Sequence, residues 1–107
     1  MNRPSSARRL AATLALALAS PHALPRDLAV ESKASSCNAC HGPGGRSVAG
    51  IPALAGRPAE QLYETLLAFK NNRRPTLVMH QHAKGYSDAE LRAIAEFFAR
   101  QRAEGQP

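Results

Sequence analysis

The sequence has no tryptophan, and only three phenylalanines and two tyrosines in 107 residues. Large rings are the most economical core filler for a small domain. Their scarcity leaves few ways to build a dry interior from this chain alone. The longest apolar run, Leu10–Ala19, is ten residues with Thr13 as its one polar member. That is about half the length of a bilayer-spanning helix, which makes a membrane anchor the weaker reading. Only two cysteines are present, too few for a disulfide scaffold or a four-cysteine zinc site. No window alternates with period two, so no substantial sheet is expected. There is no internal repeat, and no basic stripe interleaved with aromatics such as nucleic-acid binders carry. The chain is also too short for a β/α barrel or a full dinucleotide-binding fold. What remains is one small helical domain whose core needs a further apolar component.

The amino-terminal segment reads as an address. Arg3, Arg8 and Arg9 precede the apolar run without any acid among them. A basic stretch followed by a short apolar one is the pattern of a secretory signal. The expected signal is 1–19, cut after Ala19 with Ala17 and Ala19 as the small residues, or as late as residue 23. Removing the three arginines lowers the net charge from +6 to +3. The product is an exported, periplasmic domain without a membrane anchor.

Helix signals follow. Pro25 and Asp27 open a short helix that runs through Cys37 and Cys40. Residues 42–57, with Gly42-Pro43-Gly44-Gly45, Gly50, Pro52 and Gly56, form a loop. Pro58 and Glu60 start a helix carrying Leu62, Tyr63, Leu66, Leu67 and Phe69, and Asn71, Asn72 and Pro75 end it. Residues 76–86 are a second loop with at most one helical turn before Gly85. Ser87-Asp88-Ala89-Glu90 is a capping box, and Leu91, Ile94, Ala95 and Phe98 share the apolar face of the helix it starts. The tail 103–107 is expected to fray.

The chemistry sits in Cys37-Asn38-Ala39-Cys40-His41. C-x-x-C-H is a c-type haem attachment signature. Two thiols one helical turn apart can each add across a haem vinyl group, and the adjoining imidazole then lies under the ring. Three other readings compete. A structural zinc site lacks a second ligand pair, leaving His22, His80 and His82 to complete it. A thioredoxin-like redox pair lacks its βαβ setting. A plain disulfide between these positions closes a small, strained loop. Covalent haem also supplies the missing apolar core.

His41 is the first axial ligand to iron on this reading. After signal cleavage Met79 is the one methionine left, and a thioether raises the haem potential. His80 and His82 compete for the same role and would give a bis-histidine centre, with Lys84 more remote. A carbonyl near Pro52, eleven residues after His41, can accept the Nδ1–H of His41 and fix its tautomer. Arg46, Lys70, Arg73 and Arg74 are candidate donors to the haem propionates.

These residues resemble a class I c-type cytochrome. The signature Cys37-x-x-Cys40-His41-Gly42, the Pro52-x-Leu54-Ala55-Gly56 segment, the Tyr63…Phe69-Lys70 helix and Met79 fall in the family's order over roughly residues 28–101. The resemblance implies an all-α fold. Three to four helices surround one covalently bound haem c, the first and last crossing beside it, in a domain over 24–102. His41 and Met79 are then the axial pair. The leader into the haem motif is short and lacks the small-residue and aromatic contact usual at that crossing. Phe69-Lys70…Arg73-Arg74-Pro75, Val78-Met79 and Ala83-Lys84-Gly85-Tyr86-Ser87-Asp88-Ala89-Glu90 are more narrowly similar to the cytochrome subunit of flavocytochrome c sulfide dehydrogenase. That likeness implies transfer of single electrons from a sulfide-oxidising flavoprotein. A freely diffusing shuttle with other redox partners shares the chemistry. A haem enzyme or ligand sensor with a labile distal ligand is the alternative from another class.

Overall fold

The computed structural model describes residues 27–103. The expected signal 1–19 with its alternative end at 23, Pro25, His22 and the tail beyond Ala103 lie outside the described residues. Among the described residues there are five α-helices and no strand: α1 Leu28–Ser35, α2 Asn38–His41, α3 Ala59–Lys70, α4 Met79–Ala83 and α5 Asp88–Ala99.

Local chemistry sets each boundary. The Asp27 carboxylate caps α1 by accepting from the Ala29 and Val30 N–H groups at 3.1 and 3.2 Å. This satisfies two of the donors a helix start leaves open. The helix does not continue through both cysteines. It closes at Ser35, and a turn over Ser36–Cys37 starts α2 as a separate short helix. The serines explain the break, because Ser35 and Ser36 hydroxyls donate to the Ser32 and Lys33 carbonyls at 2.7 and 2.8 Å.

Helix α3 ends in a Schellman closure. Asn72 takes a left-handed conformation with φ +55°. The Arg73 N–H reaches back to the Ala68 carbonyl at 2.8 Å and the Asn72 N–H to Phe69 at 3.3 Å. Helix α5 begins with a complete capping box. Ser87 Oγ accepts from the Glu90 N–H at 3.1 Å, and the Glu90 carboxylate accepts from the Ser87 N–H at 2.9 Å.

The core lies between α1, α3 and α5. Leu91, Ile94, Ala95 and Phe98 of α5 are all buried, as the apolar spacing predicts, and Ile94, Ala95 and Phe98 form one cluster with Leu62 of α3 and Ala34 of α1. Ala34 corrects one expectation. It is fully buried, so α1 does meet α5 through a small residue. Three ion pairs rim these contacts: Lys33–Glu90 at 3.0 Å, Lys70–Asp88 at 2.7 Å and Arg92–Glu60 at 2.6 Å. The Arg92 guanidinium also stacks 3.9 Å above the Tyr63 ring, and its hydrogen bond holds the Glu60 carboxyl below its ordinary range. Exposed pairs of this kind fix orientation more than they stabilise.

Gly45 joins the haem-motif turn to the rest. Its carbonyl accepts from the Leu54 and Ala55 N–H groups at 2.7 and 3.0 Å. Its φ is +72°, and a Cβ there would lie 2.6 Å from Phe98 Cδ1. Gly45→Ala is therefore expected to lose about 3 kcal/mol of stability, from overpacking and left-handed strain together. Denaturant unfolding of the haem-loaded protein checks this. A loss no larger than that at the open Gly50 position, where a Cβ meets nothing within 4 Å, would contradict it.

Candidate haem site

One apolar cavity of about 290 Å³, open to solvent on one side, runs between the haem-motif turn, α3, α4 and α5. Cys37, Cys40 and His41 line it from the α2 side, Leu62, Leu66 and Phe69 from α3, and Ile94 and Phe98 from α5. Met79 and His82 of α4 line the same cavity. The structure thus brings Cys37, Cys40, His41 and Met79 together around one space, although Met79 is 38 residues beyond His41 in the chain.

The chain around the motif is built to aim these groups. Gly42 stops α2 with φ +82°, a conformation closed to most side chains. The Ser47 N–H then closes on the His41 carbonyl at 2.6 Å, and the Ser47 hydroxyl donates to the Ile51 carbonyl. This loop presents the Pro52 carbonyl 2.7 Å from His41 Nδ1. With Nδ1 protonated and donating, Nε2 is left as the free lone pair of a neutral imidazole, the form that binds a metal. Both thiols are free in this structure. Cys40 is exposed, whereas burial pushes the Cys37 thiol above its ordinary value.

The fourth side is closed by the segment after α3. The Met79 N–H donates to Thr76 Oγ1 at 3.0 Å. Tyr86, also on the cavity, shares a 3.2 Å hydrogen bond with Ser36 Oγ across the start of the haem motif.

The candidate propionate donors separate cleanly. Arg46 is turned away, with Nε donating to the Arg102 carbonyl at 3.0 Å and Nη1 to the Pro43 carbonyl at 3.2 Å. Lys70 is held by Asp88. Arg73 does not line the cavity, while Arg74 does, its guanidinium 5.3 Å from the Phe69 ring centre. Arg57 lines it as well, braced by an Nη2 bond to Gln61 at 3.2 Å. The sequence reading missed Arg57. The signal available was its place directly after Gly56, at the end of the segment that supplies the His41 acceptor.

These features test the fit of a haem. The walls are aliphatic and aromatic, no carboxylate lines the cavity, and two guanidinium groups do. That pattern suits a flat apolar ring bearing two carboxylates. Paired thiols and a tautomer-fixed imidazole stand on its wall. Among the described residues no group of three or more His, Cys, Asp or Glu can hold a metal ion directly. The zinc reading therefore finds no ligand set there.

An all-helical body with a C-x-x-C-H turn opening onto such a cavity is a c-type cytochrome domain. The sequence model of the family described as cytochrome C oxidase, cbb3-type, subunit III matches residues 27–98. The chain belongs to this family of cytochrome c domains, whose haem c is attached covalently. The cytochrome subunit of sulfide dehydrogenase from Chlorobaculum tepidum is 44% identical over 63 residues, 59% of this chain and 57% of that one. The thiosulfate dehydrogenase electron acceptor of Thiomonas intermedia is 38% identical over 81 residues, 74% of this chain and 37% of that protein. Cytochrome c-554(548) of Halomonas halodenitrificans is 34% identical over 75 residues, 66% of this chain and 90% of that protein. The chain thus spans little more than half of the first relative and well under half of the second.

Proposed function

We propose that this protein is an exported, periplasmic carrier of single electrons, with its haem held by Cys37 and Cys40 and its iron by His41 and Met79. The observation that carries the reading is the convergence of those four side chains on one apolar cavity. When bound, the haem supplies reversible one-electron chemistry at iron. The protein's part is to hold the two axial groups fixed, His41 through the Pro52 carbonyl and Met79 through Thr76. Filling both axial positions disfavours substrate chemistry at the metal. The apolar walls exclude water, and a soft neutral thioether favours the reduced state. Arg57 and Arg74 are the side chains placed to meet the propionates. Residues 1–19, with their basic and apolar halves, direct export.

The donor we propose is a sulfide-oxidising flavoprotein, with this chain as its haem subunit. The likeness to a sulfide dehydrogenase cytochrome subunit supports it, as does the sequence pattern around Met79. Sulfide added with such a flavoprotein should reduce the haem rapidly. Reduction no faster than with sulfide alone would defeat this donor and leave the carrier reading standing. A freestanding shuttle is the second reading. Its support is the 90% coverage of the small cytochrome c-554(548).

Charge indicates where a partner sits. Residues 65–87 contain no acid, and hold Lys70, Arg73, Arg74 and Lys84. The other described residues carry seven acids against six bases. The excess positive charge therefore lies on the segment that closes the cavity, beside Leu77, which is 100% exposed, and Val78 at 55%. An acidic patch around an apolar socket complements it. Arg73→Glu with Lys84→Glu should slow oxidation of the reduced protein by ferricyanide, a small anionic probe, roughly tenfold at low salt, converging with wild type at high salt. Rates equal at every ionic strength would contradict this.

A further inference from the structure

We propose that His82 is a reserve axial ligand, which takes the iron when the Met79 thioether is lost. This rests on the assignment of His41 and Met79 as the resident pair. The sequence leaves His80 and His82 equivalent, and the structure separates them. Met79 and His82 are three residues apart on α4, hence neighbours on one helix face. Both line the haem cavity, and His80 does not. His80 is also held elsewhere, with Nδ1 2.9 Å from the Phe69 carbonyl oxygen.

The geometry around His82 suits a ligand in waiting. Its side chain is exposed at the cavity mouth. Hydrogen bonds fix the rings of His41 and His80 at Nδ1. No such bond ties the His82 ring among the described residues, so both of its nitrogens are available. Moving from Met79 to His82 is a shift of about 4.5 Å along the α4 axis. Helix α4 is only five residues long. It follows a segment, residues 71–78, that is exposed throughout except at Thr76. Both side chains stand on one face of this helix, so the exchange asks for a local shift of α4 at the cost of the packing around Ala83, which is 1% exposed. The exchanged centre is bis-histidine, stays low-spin and closed to external ligands, and has a lower potential than the methionine-ligated one.

The test uses the haem-loaded full protein. The oxidised wild type should show the weak long-wavelength absorption of an iron–thioether bond. Met79→Ala should lose that band and stay low-spin, with a lower reduction potential. Met79→Ala with His82→Ala should become high-spin and bind carbon monoxide about tenfold more tightly than the single variant, because no internal ligand competes. Met79→Ala with His80→Ala should behave like the single variant. A second measurement needs no change at Met79. Mild denaturant should bleach the thioether band in the wild type while leaving low-spin haem, and should give high-spin haem in His82→Ala. High-spin haem in Met79→Ala alone, or an opening of the iron that follows His80 instead, overturns the proposal. A wild type lacking the thioether band overturns the axial assignment itself, and the reserve role with it.

Discussion

Serine at both Cys37 and Cys40 is expected to yield a chain without covalent haem and without a stable helical fold. The described body is small, and its buried apolar set is eight residues, four of them alanine. A domain of this size buries only about 60% of its unfolded surface and has little stability to spare. The cavity stands at the meeting of every long helix except α1, with Leu62, Ile94 and Phe98 belonging both to its wall and to the core. Without the haem those side chains face either a void or water. Circular dichroism should show most helix lost and no cooperative thermal transition. Extraction with acid acetone should strip any pigment that remains. An apo chain melting cooperatively at the temperature of the haem-loaded protein would contradict this. Single serine variants keep one thioether and are expected to lose less.

Phe98→Ala should be the most damaging single change away from the haem ligands, at about 4 kcal/mol. The ring is 1% exposed. Its edge meets Phe97 in a T-shaped contact at 5.3 Å between centroids. It packs so closely over Gly45 that no Cβ fits between them, and it forms part of the cavity wall. Its backbone carbonyl accepts from the Gly56 N–H at 3.0 Å. Removing the ring opens the junction of α5, the haem-motif turn and the Pro52–Gly56 segment at once. Urea unfolding of the haem-loaded variant should show the loss. Phe97→Ala, at a half-buried position, should cost clearly less. A Phe98→Ala loss below about 1 kcal/mol would mean that the haem, not this ring, holds the three segments together.

Much of this was legible in the sequence because its determinants are local. The C-x-x-C-H spacing, the Ser87–Glu90 capping box and the apolar face Leu91, Ile94, Ala95, Phe98 each lie within a few residues. The end of α3 was legible for the same reason, since Asn71 caps the helix and Asn72 supplies the left-handed closure. Other features depend on what the chain meets after folding. Ala34 reads as an ordinary alanine until α5 covers it. The break between α1 and α2 comes from serine hydroxyls competing with the helix. Arg46 and Arg57 are indistinguishable as sequence symbols. The fold sends one to the Arg102 carbonyl and the other to the cavity. His80 and His82 likewise part only in the fold, where His82 lines the cavity and His80 meets the Phe69 carbonyl eleven residues upstream. The acid-free stretch 65–87 was visible in the sequence, but its meaning came from finding it beside the cavity mouth.

A spectroscopic redox titration of the haem-loaded protein decides the assignment of haem and axial ligands. One haem should survive acid acetone, with a sharp reduced α-band, a thioether band in the oxidised form that is lost in Met79→Ala, and a single one-electron transition. Haem that is extractable, or a ferric centre that is high-spin and open in the wild type, would contradict it.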